Sequence, residues 1–531
     1  MSQEQSRVRT DAQAGNPGKA AAVGPEVGGV RSNDDQNWVD LWALSPEYRR
    51  QLREVTRDAA CSQALPRSKG AGDGSQEITT PEKLRKLQRA LYRKAKAEPS
   101  YRFWSLYSEL TRRELLEHAL RLVVANGGAP GVDGQTIDSI VATPETRDCW
   151  LTQLQQELQT HTYRPKPVRR VYIPKSDGGQ RPLGIPTVKD RVVQMLVLLV
   201  LAPIFEVDFH PHSYGFRPRR NAHQAIDAIV EALRRGKLEV VDADLSKYFD
   251  TIPHDRLMKL VARRISDGSI LHLIKQWLDA PIVEEQKDSS QRVLPNEQGV
   301  PQGGVISPLL ANLYLNALDW AVNNPQQPGQ PVLVRYADDF VILCAPGQAP
   351  ELLRRLRRWL SGRGLKLNEQ KTRQTHCREG FQFLGFTLRW QRSARTGGWY
   401  PHVEPSAKSQ QEFRQMVRRH LNHWTTHRRI AEVVTELNRS VRGWSGYFHH
   451  LHSTRVFGKL QWWMNDRMRR WLWRKHQCTR ALWRDYPDSL LQGRYGLWSL
   501  PQRVMWKELW KPNACDEATR KAGYGKSVRP V

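Results

Sequence analysis

Cysteine is scarce in this chain, acidic residues are outnumbered, and a long uninterrupted apolar segment is missing. The six cysteines lie singly, without paired spacing, so the chain is not a disulfide-stabilised scaffold and we expect a reducing compartment. The longest apolar run, residues 192–205, includes Gln194 and Pro203 and is shorter than the ~20 residues that cross a bilayer. The first ten residues include an acid and have no apolar stretch. The sequence therefore predicts neither a secretory signal nor a membrane partner, and indicates a cytoplasmic protein.

Positive charge, in contrast, is abundant. The chain of 531 residues has 82 Lys and Arg against 54 Asp and Glu, a formal net charge of +28. Such an excess does not define a fold, but it attracts polyanions and above all nucleic acid. The hydrophobic fraction of 39% is sufficient for folded cores, which excludes wholesale disorder. The length indicates roughly three or four domains.

Composition divides the chain into regions. Residues 1–75 are rich in Gly, Ala, Ser and Gln, which predicts a flexible extension. A folded region is expected to start with a helix at Pro81, and the glycines at 127–131 should break a later helix. From about 163 to 400 the chain alternates helical stretches with β-rich runs, which predicts an α+β region with helices packed on a sheet; these runs are 168–173, 238–245, 332–343 and 381–390. After about residue 405 the strand signals fade and helices are predicted.

A pair of adjacent aspartates interrupts one of these β-rich runs. Asp338 and Asp339 lie within residues 332–343, a pattern typical of a tight hairpin with two carboxylates at its tip; an ordinary Asp-containing turn is the alternative. A second run carries Asp242 and Asp244, which a strand places on one face. Carboxylates gathered in this way repel one another unless cations lie between them. Two Mg²⁺ ions about 3.5–4 Å apart would satisfy the cluster, which predicts a metal-dependent nucleotidyl transferase.

Seven short motifs follow one another between residues 125 and 390. Residues 336–339 read Tyr-Ala-Asp-Asp, residues 241–250 contain Asp244, and residues 299–312 contain Pro-Gln-Gly. The other four motifs are residues 173–183, 213–218, 367–372 and 383–386. Together and in this order they resemble the sequence boxes of reverse transcriptases encoded by bacterial group II introns. The resemblance implies an α+β, right-hand-like polymerase with fingers and palm, followed by an α-helical thumb or maturase domain and a basic C-terminal tail.

The resemblance implies a role for each acid of the cluster. Asp244, Asp338 and Asp339 would be the catalytic residues and would bind the two Mg²⁺ ions. Asp242 faces the same way as Asp244, but the family's spacing to the aromatic Phe249 selects Asp244. The ring of Phe249 would lie under the incoming sugar and exclude a 2′-hydroxyl, so that deoxynucleoside triphosphates are selected; an ordinary core phenylalanine is the alternative.

Further side chains are implied to bind the nucleotide. Lys175 and Arg181 lie on a predicted fingers hairpin turned by Asp-Gly-Gly at 177–179, where they would hold the triphosphate or else be solvated surface charges. Gln302 lies in the Pro-Gln-Gly box, where the freedom of the following glycines would let the backbone approach template or nucleotide closely. Lys371 resembles the lysine placed near the leaving phosphates, with a simple surface lysine as the alternative.

The last quarter of the chain concentrates charge and tryptophan. Residues 406–531 hold 25 Lys and Arg against 9 Asp and Glu, a surplus of 16, and twelve of the 19 Trp lie between 390 and 510. Phosphate contacts explain this density of arginine, and exposed rings would stack on unpaired bases; a tryptophan core with a solvated arginine face is the alternative. Residues 437–448 resemble the signature of the maturase domain, which implies binding of the parent intron RNA for splicing. The expected RNA-binding residues are Arg217, Arg418, Arg419, Arg439 and Arg442.

These features predict four segments and a set of partners. The segments are a flexible extension (1–75), reverse transcriptase fingers and palm (76–404), a helical thumb or maturase domain (405–476) and a basic segment that binds DNA or RNA (477–531). The implied partners are group II intron RNA, a DNA target and primer, and deoxynucleoside triphosphates, in a bacterial cell with the nucleoid or a ribonucleoprotein. The oligomeric state stays open, with a dimer among the alternatives. Because Cys478 and Cys515 stand alone, we expect no His-Asn-His endonuclease with paired cysteines, which puts second-strand cleavage in doubt.

Two other functions remain open from the sequence. One is an RNA-binding splicing factor with an idle polymerase site, and the other is a related reverse transcriptase recruited to host functions such as defence. The three acids, Phe249 and the Pro-Gln-Gly box are all intact, which argues against the first. No fused partner domain is visible in the sequence to support the second.

Overall fold

The computed structural model describes residues 78–174, 179–285, 291–324, 329–477 and 482–502. Within these ranges the strands are β1 Val168–Pro174, β2 Gln180–Ile185, β3 Glu239–Ala243, β4 Ile282–Glu285, β5 Gln291–Leu294, β6 Val332–Tyr336, β7 Asp339–Cys344, β8 Arg373–His376, β9 Phe381–Phe383, β10 Phe386–Arg392 and β11 Trp399–Pro405. The α-helices before β8 are α1 Glu82–Ala97, α2 Tyr107–Leu110, α3 Arg113–Asn126, α4 Ile137–Ile140, α5 Pro144–Gln159, α6 Val188–Glu206, α7 Ala222–Arg234, α8 Tyr248–Thr251, α9 His254–Ala262, α10 Gly268–Asp279, α11 Ser307–Val322 and α12 Ala349–Ser361. After β11 follow α13 Ala407–His420, α14 Ile430–Phe448, α15 Thr454–Lys475, α16 Leu482–Asp485 and α17 Asp488–Gly493.

The strands form three sheets. The first has the order β2-β1-β4-β5, the second the order β6-β7-β3-β8, and the third the order β11-β10-β9. Each β-rich run of the sequence supplies at least one of these strands, which confirms the predicted α+β architecture. The predicted fingers hairpin is confirmed in its strands, since β1 and β2 pair antiparallel up to Pro174 opposite Gln180. Its turn, residues 175–178, lies outside the described residues.

The longest apolar run of the sequence forms the central helix, α6. Except for Lys189, every residue of α6 is buried, and α1 and α3 pack against it. Thr187 caps its beginning by accepting a hydrogen bond from the Asp190 backbone, which satisfies one of the unpaired N–H groups of the first turn. In the part of the chain that the structure describes, no helix is both long and apolar enough to cross a bilayer.

Helix boundaries follow local signals in the sequence. Pro81 is the residue immediately before α1, one position ahead of the helical position predicted for it. Gly127 ends α3 with a φ of 69°, which confirms the predicted break, because glycine adopts positive φ without steric cost.

The second sheet separates two hydrophobic cores. Side chains alternate between its faces, so that Val241 belongs to the core around α6 whereas its neighbour Val240 belongs to another core. That other core also contains Phe413 of α13, Leu437 of α14 and Leu460 of α15. The C-terminal helices are therefore joined to the sheet through a continuous apolar core.

The change from strands to helices occurs at one residue. β11 ends at Pro405, and Ser406 then caps α13 by accepting a hydrogen bond from the Ser409 backbone at 3.1 Å. The Ser406 backbone N–H donates to Gly385 at 2.9 Å. The described elements that follow are helical, which confirms the loss of strand signals expected after residue 405.

Candidate active site

The two adjacent aspartates lie at the tip of a β-hairpin. β6 and β7 pair antiparallel up to Tyr336 opposite Asp339, so that Ala337 and Asp338 form a two-residue turn. Ala337 has a φ of 60°, as the first position of such a turn requires. The predicted hairpin is confirmed, with Asp338 in the turn and Asp339 as the first residue of β7.

A neighbouring strand brings a third carboxylate to this tip. β3 pairs antiparallel with β7, and its last residue Ala243 lies opposite Phe340. Asp244, which comes directly after β3, is therefore placed beside Asp339. The Asp244 carbonyl accepts a hydrogen bond from the Asn368 backbone at 2.8 Å, which draws in the loop after α12.

That loop places a lysine beside the carboxylates. The Lys371 amine lies 3.8 Å from the Asp244 carboxylate, and its side chain is 57% exposed. Lys371 thus lies beside one of the predicted catalytic acids, and its expected place near the leaving phosphates stays a prediction.

Protein surroundings and mutual repulsion weaken the acidity of the cluster. The protein around the Asp339 carboxyl disfavours its charged form and, together with the charges of Asp338, Asp244 and Asp242, raises its pKa to about 7. The pKa of Asp338 is also raised, mainly by burial. Burial and then the charge of Asp244 raise the pKa of Asp242 to about 6. Four carboxylates are therefore close enough to repel one another, with too little positive charge to compensate.

The donor chemistry of this cluster fits a hard cation. Carboxylate oxygens are the ligands that Mg²⁺ prefers, and a cation would relieve the repulsion that raises these pKa values. The described residues nevertheless contain no group of three or more His, Cys, Asp or Glu side chains already close enough to hold a metal ion.

Asp339→Asn is expected to stabilise the metal-free protein at alkaline pH. The pKa of Asp339 is about 7 in the folded protein and about 4 in the unfolded chain. Its favourable contribution to the free energy of unfolding is therefore complete below about pH 4 and is lost as the pH rises through 7. Because Asp339 is exposed to solvent, screening reduces this contribution, and thermal unfolding in EDTA near pH 8 should show a Tm only roughly 1–3 °C above wild type, with a shallower decline between pH 5 and 8. A surface control, Asp255→Asn, should keep the wild-type profile; identical profiles for Asp339→Asn and wild type would contradict the repulsion.

Two of the predicted nucleotide-binding residues form a hydrogen bond with each other. Arg181 of β2 donates from Nε to the side-chain oxygen of Gln302 at 3.2 Å. Its positive charge partly offsets the rise in the pKa of Asp338 and Asp339 that the surrounding protein causes. The structure therefore brings Arg181, Gln302 and the acids together. Lys175, the other predicted fingers cation, lies outside the described residues.

The Pro-Gln-Gly loop packs closely on β2. The Gly184 backbone N–H donates to the Gln302 carbonyl at 2.6 Å. Gly303 has a φ of 116°, and a Cβ there would lie 2.4 Å from the Gly184 carbonyl oxygen. The freedom of Gly303 thus serves a contact with protein backbone, and the expected close approach to template or nucleotide stays a prediction.

The same loop also contacts the predicted sugar-sensing aromatic. The Val300 backbone N–H donates to the Phe249 carbonyl at 2.6 Å, and Gly299 lies so close that a Cβ would be 2.8 Å from that carbonyl. The Phe249 ring is only partly buried against the core around α6. One loop therefore connects Phe249 to Gln302 and leaves part of the ring accessible.

Arg217 lies inside the protein. Its side chain is 3% exposed and forms an ion pair with Glu206 at 2.8 Å, and it also donates to the carbonyls of His210 and Ser213. The structure thus gives this guanidinium an internal role, because its donors face a buried carboxylate and backbone oxygens. The expected contact with RNA stays a prediction without geometric support.

The other four predicted RNA-binding arginines are exposed on the C-terminal helices. Arg418 and Arg419 lie on α13, and Arg439 and Arg442 lie on α14. Two of them rest on rings, with the Arg418 guanidinium 5.6 Å from the centre of a Trp463 ring and that of Arg442 4.2 Å from Trp498. Aromatic contacts of this kind hold a cation in place while leaving its charge at the surface.

Sequence reasoning missed one residue beside the acids, Arg335. It is the next-to-last residue of β6 and is 0% exposed, in an ion pair with the equally buried Asp319. The signal was present, because a cation inside an otherwise apolar strand is costly unless it is paired.

Comparison with known families assigns two parts of the chain. Residues 173–388 match the family "Reverse transcriptase (RNA-dependent DNA polymerase)". Residues 410–486 match "Group II intron, maturase-specific domain". All three predicted catalytic acids lie in the first match, and the four exposed arginines lie in the second.

Several curated proteins are similar to this chain. Protein YkfC of Escherichia coli (strain K12) is 38% identical over 349 residues, which cover 58% of this chain and 89% of YkfC. Group II intron-encoded protein LtrA of Lactococcus lactis subsp. cremoris is 36% identical over 218 residues, which cover 41% of this chain and 35% of LtrA.

Among solved structures, the matches are distant. Telomerase from Candida albicans, in complex with a fragment of telomeric RNA, gives a TM-score of 0.36 at 12% identity, over 64% of this chain and 66% of telomerase. A partial Cas6-RT-Cas1–Cas2 complex gives a TM-score of 0.30 at 21% identity, over 48% of this chain and 41% of that one. Overlays with scores this low add nothing to the assignment.

Proposed function

This chain belongs to the family of group II intron-encoded reverse transcriptases and maturases, and we propose that it copies group II intron RNA into DNA and promotes splicing of that intron. The family's RNA-directed DNA polymerase domain matches residues 173–388. The observation that carries the polymerase proposal is the placement of Asp244, Asp338 and Asp339 at the same end of the β6-β7-β3-β8 sheet. Because the alignment covers only 35% of LtrA, the identity of the RNA copied and of the DNA target is part of the proposal.

The acids and their neighbours have different roles in nucleotide addition. Two Mg²⁺ ions held by Asp244, Asp338 and Asp339 would activate the primer 3′-hydroxyl and neutralise the leaving pyrophosphate. Arg181, oriented by Gln302, binds the triphosphate of the incoming deoxynucleotide through charge-assisted hydrogen bonds.

Two further side chains complete the nucleotide site. Phe249 limits the space beside the sugar, so that a 2′-hydroxyl is rejected. Lys371, 3.8 Å from the Asp244 carboxylate, supplies a cation near the phosphates as negative charge develops on the leaving group. We assign Lys175 to the triphosphate on the basis of its motif.

The domain proposal follows the change in secondary structure. Residues 76–404 form the fingers and palm, and residues 405–476 form the thumb or maturase domain; the passage from β11 to α13 at Ser406 and the family match from residue 410 support this boundary. Residues 477–531 form the basic segment that binds nucleic acid.

Replacing Arg418, Arg419, Arg439 and Arg442 together with Gln is expected to weaken RNA binding and flatten its salt dependence. Each lost phosphate contact removes about 0.7–0.9 from the slope of log K against log salt, so that the slope should fall by roughly three. Fluorescence anisotropy of labelled intron RNA over a series of KCl concentrations measures this change.

The matched control replaces two exposed arginines elsewhere. Arg354 and Arg355 on α12 are 71% and 74% exposed and both pair with Glu351, so their replacement with Gln should leave the slope unchanged. An unaltered slope in the fourfold variant would place the RNA contacts on another surface.

One experiment separates the proposed function from a splicing-only maturase. Purified protein is incubated with its parent intron RNA, and splicing and primer extension are measured in the same preparation. Both activities are expected. Splicing without extension under any divalent ion would favour the splicing factor, whereas extension without splicing of any flanking intron would favour a host-recruited enzyme.

A further inference from the structure

We propose that Arg335 is a positioning residue of the active site, whose guanidinium ties the turn at Ala337 and Asp338 to helix α11 and so fixes the location of the Asp338 carboxylate. This inference rests on the proposed polymerase function. Arg335 does not reach substrate in this arrangement, and its effect on the reaction passes through the turn.

The contacts of Arg335 extend from the helix to the turn. Its Nε donates to the Asp319 carboxylate at 2.8 Å, and Nη2 donates to the other oxygen of the same group. Its Nη1 donates both to the Asn312 side-chain oxygen at 2.7 Å and to the Ala337 carbonyl at 2.8 Å. A single planar group therefore joins two residues of α11 to the backbone of the turn.

Burial of this ion pair is hard to explain by stability alone. Both side chains are 0% exposed, and replacing such pairs with apolar residues of similar volume is often neutral or stabilising. An apolar residue at this position, however, has no donor for the Ala337 carbonyl. The arrangement is understandable if the bond to the turn is what the site requires.

The turn itself needs such support. Ala337 has a φ of 60°, a left-handed conformation that costs a residue with a Cβ roughly 1–2 kcal/mol and persists when its surroundings hold it. The hydrogen bond from Arg335 to the Ala337 carbonyl acts on that residue. Without it, the turn that carries Asp338 has a cheaper conformation available.

A second segment closes the other side of the turn. A Cβ on Gly215 would lie 2.4 Å from the Ala337 nitrogen, and the Gly215 carbonyl accepts from the Asn312 side chain at 2.8 Å. The Arg335 backbone donates to His212 at 3.0 Å. The turn is thus enclosed between α11 and residues 212–215, with Asn312 bonded to both Arg335 and Gly215.

The test compares two buried arginines by conservative substitution. Arg335→Lys keeps the charge but cannot serve the acid, Asn312 and the turn together. The control is Arg264→Lys, because Arg264 is also buried, pairs with Asp208 at 3.0 Å and donates to backbone carbonyls at the end of α1. For both variants we would measure Tm, the single-turnover rate of deoxynucleotide addition, template–primer affinity, and Mn²⁺ affinity by electron paramagnetic resonance.

Arg335→Lys should lower the rate of addition about 100-fold, as expected for a misplaced catalytic group. Its Mn²⁺ affinity should fall about tenfold, and its template–primer affinity should change little. Arg264→Lys should lower the Tm by about as much as Arg335→Lys does, while its rate of addition and its Mn²⁺ affinity stay within about twofold of wild type. Equal losses of rate and Mn²⁺ affinity in the two variants, at equal folded fraction, would overturn the positioning role. Wild-type rate and Mn²⁺ affinity in Arg335→Lys would do the same.

A second variant and a second measurement cover the two ways in which this test could fail. If Arg335→Lys does not fold, Asn312→Ala removes one support and leaves the Arg335 ion pair with Asp319 intact; a rate about tenfold below wild type is expected, and an unchanged rate would refute the proposal. If the wild-type protein extends no primer, the proposed polymerase function has failed, and the Mn²⁺ affinities alone still decide whether Arg335 positions the acids.

Discussion

Asp338→Ala is expected to lower the rate of DNA synthesis on an RNA template by about 1,000-fold or more, because metal-assisted charge stabilisation contributes several kcal/mol to the transition state. Asp338 lies in the turn between β6 and β7, beside Asp339 and at the same end of the sheet as Asp244. Binding of RNA should remain close to wild type, since the exposed arginines of α13 and α14 are untouched.

The measurement is single-turnover primer extension beside an RNA-binding titration. Asp255→Asn serves as the control, because Asp255 is a 67% exposed acid on α9 that pairs with Lys259 at 4.0 Å. It should leave the rate unchanged. Synthesis by Asp338→Ala at more than a tenth of the wild-type rate would remove this acid from the catalytic set.

Phe249→Ala is expected to relax the choice of sugar. The ring is partly exposed beside the loop that carries Gln302, and forcing an extra hydroxyl against a packed ring costs roughly 1–3 kcal/mol. Removing the ring should therefore reduce the preference for deoxynucleotides over ribonucleotides by roughly 10- to 100-fold. The ratio of kcat/KM for the two nucleotides measures the preference.

The control for this substitution is Met258→Ala on α9. Met258 is another partly buried residue of the same core, so its loss should lower stability without altering the preference for deoxynucleotides. If Phe249→Ala loses stability to the same degree as Met258→Ala and keeps the wild-type preference, Phe249 is an ordinary core residue.

Local patterns predicted the strands and the hairpin well. Short apolar runs rich in β-branched residues in 238–245 and 332–343 correspond to β3, β6 and β7, because a strand that is buried on both faces shows as a continuous apolar run. The motif at 367–372 predicts a lysine near the leaving phosphates, and the structure places Lys371 3.8 Å from the Asp244 carboxylate. Such features depend on residues close together in sequence, or on a motif whose order is shared with the family.

Contacts between distant segments could not be read in this way. The bond from Arg335 to Asp319, the internal pairing of Arg217 with Glu206 and the packing of Gly303 on Gly184 all depend on tertiary register. A charged side chain has the same appearance in the sequence whether it meets a phosphate or a buried carboxylate. The distinction arises only when the packed fold determines which partner is within reach.

The central claim is that the acids of the β6-β7-β3-β8 sheet catalyse metal-dependent copying of RNA into DNA. Its most direct test is single-nucleotide addition by the wild-type protein to a DNA primer annealed to an RNA template, measured over a Mg²⁺ titration. We predict addition of the complementary deoxynucleotide that rises with Mg²⁺ and stops when EDTA is added. Stable binding of the template–primer with no addition at any Mg²⁺ or Mn²⁺ concentration would contradict the claim.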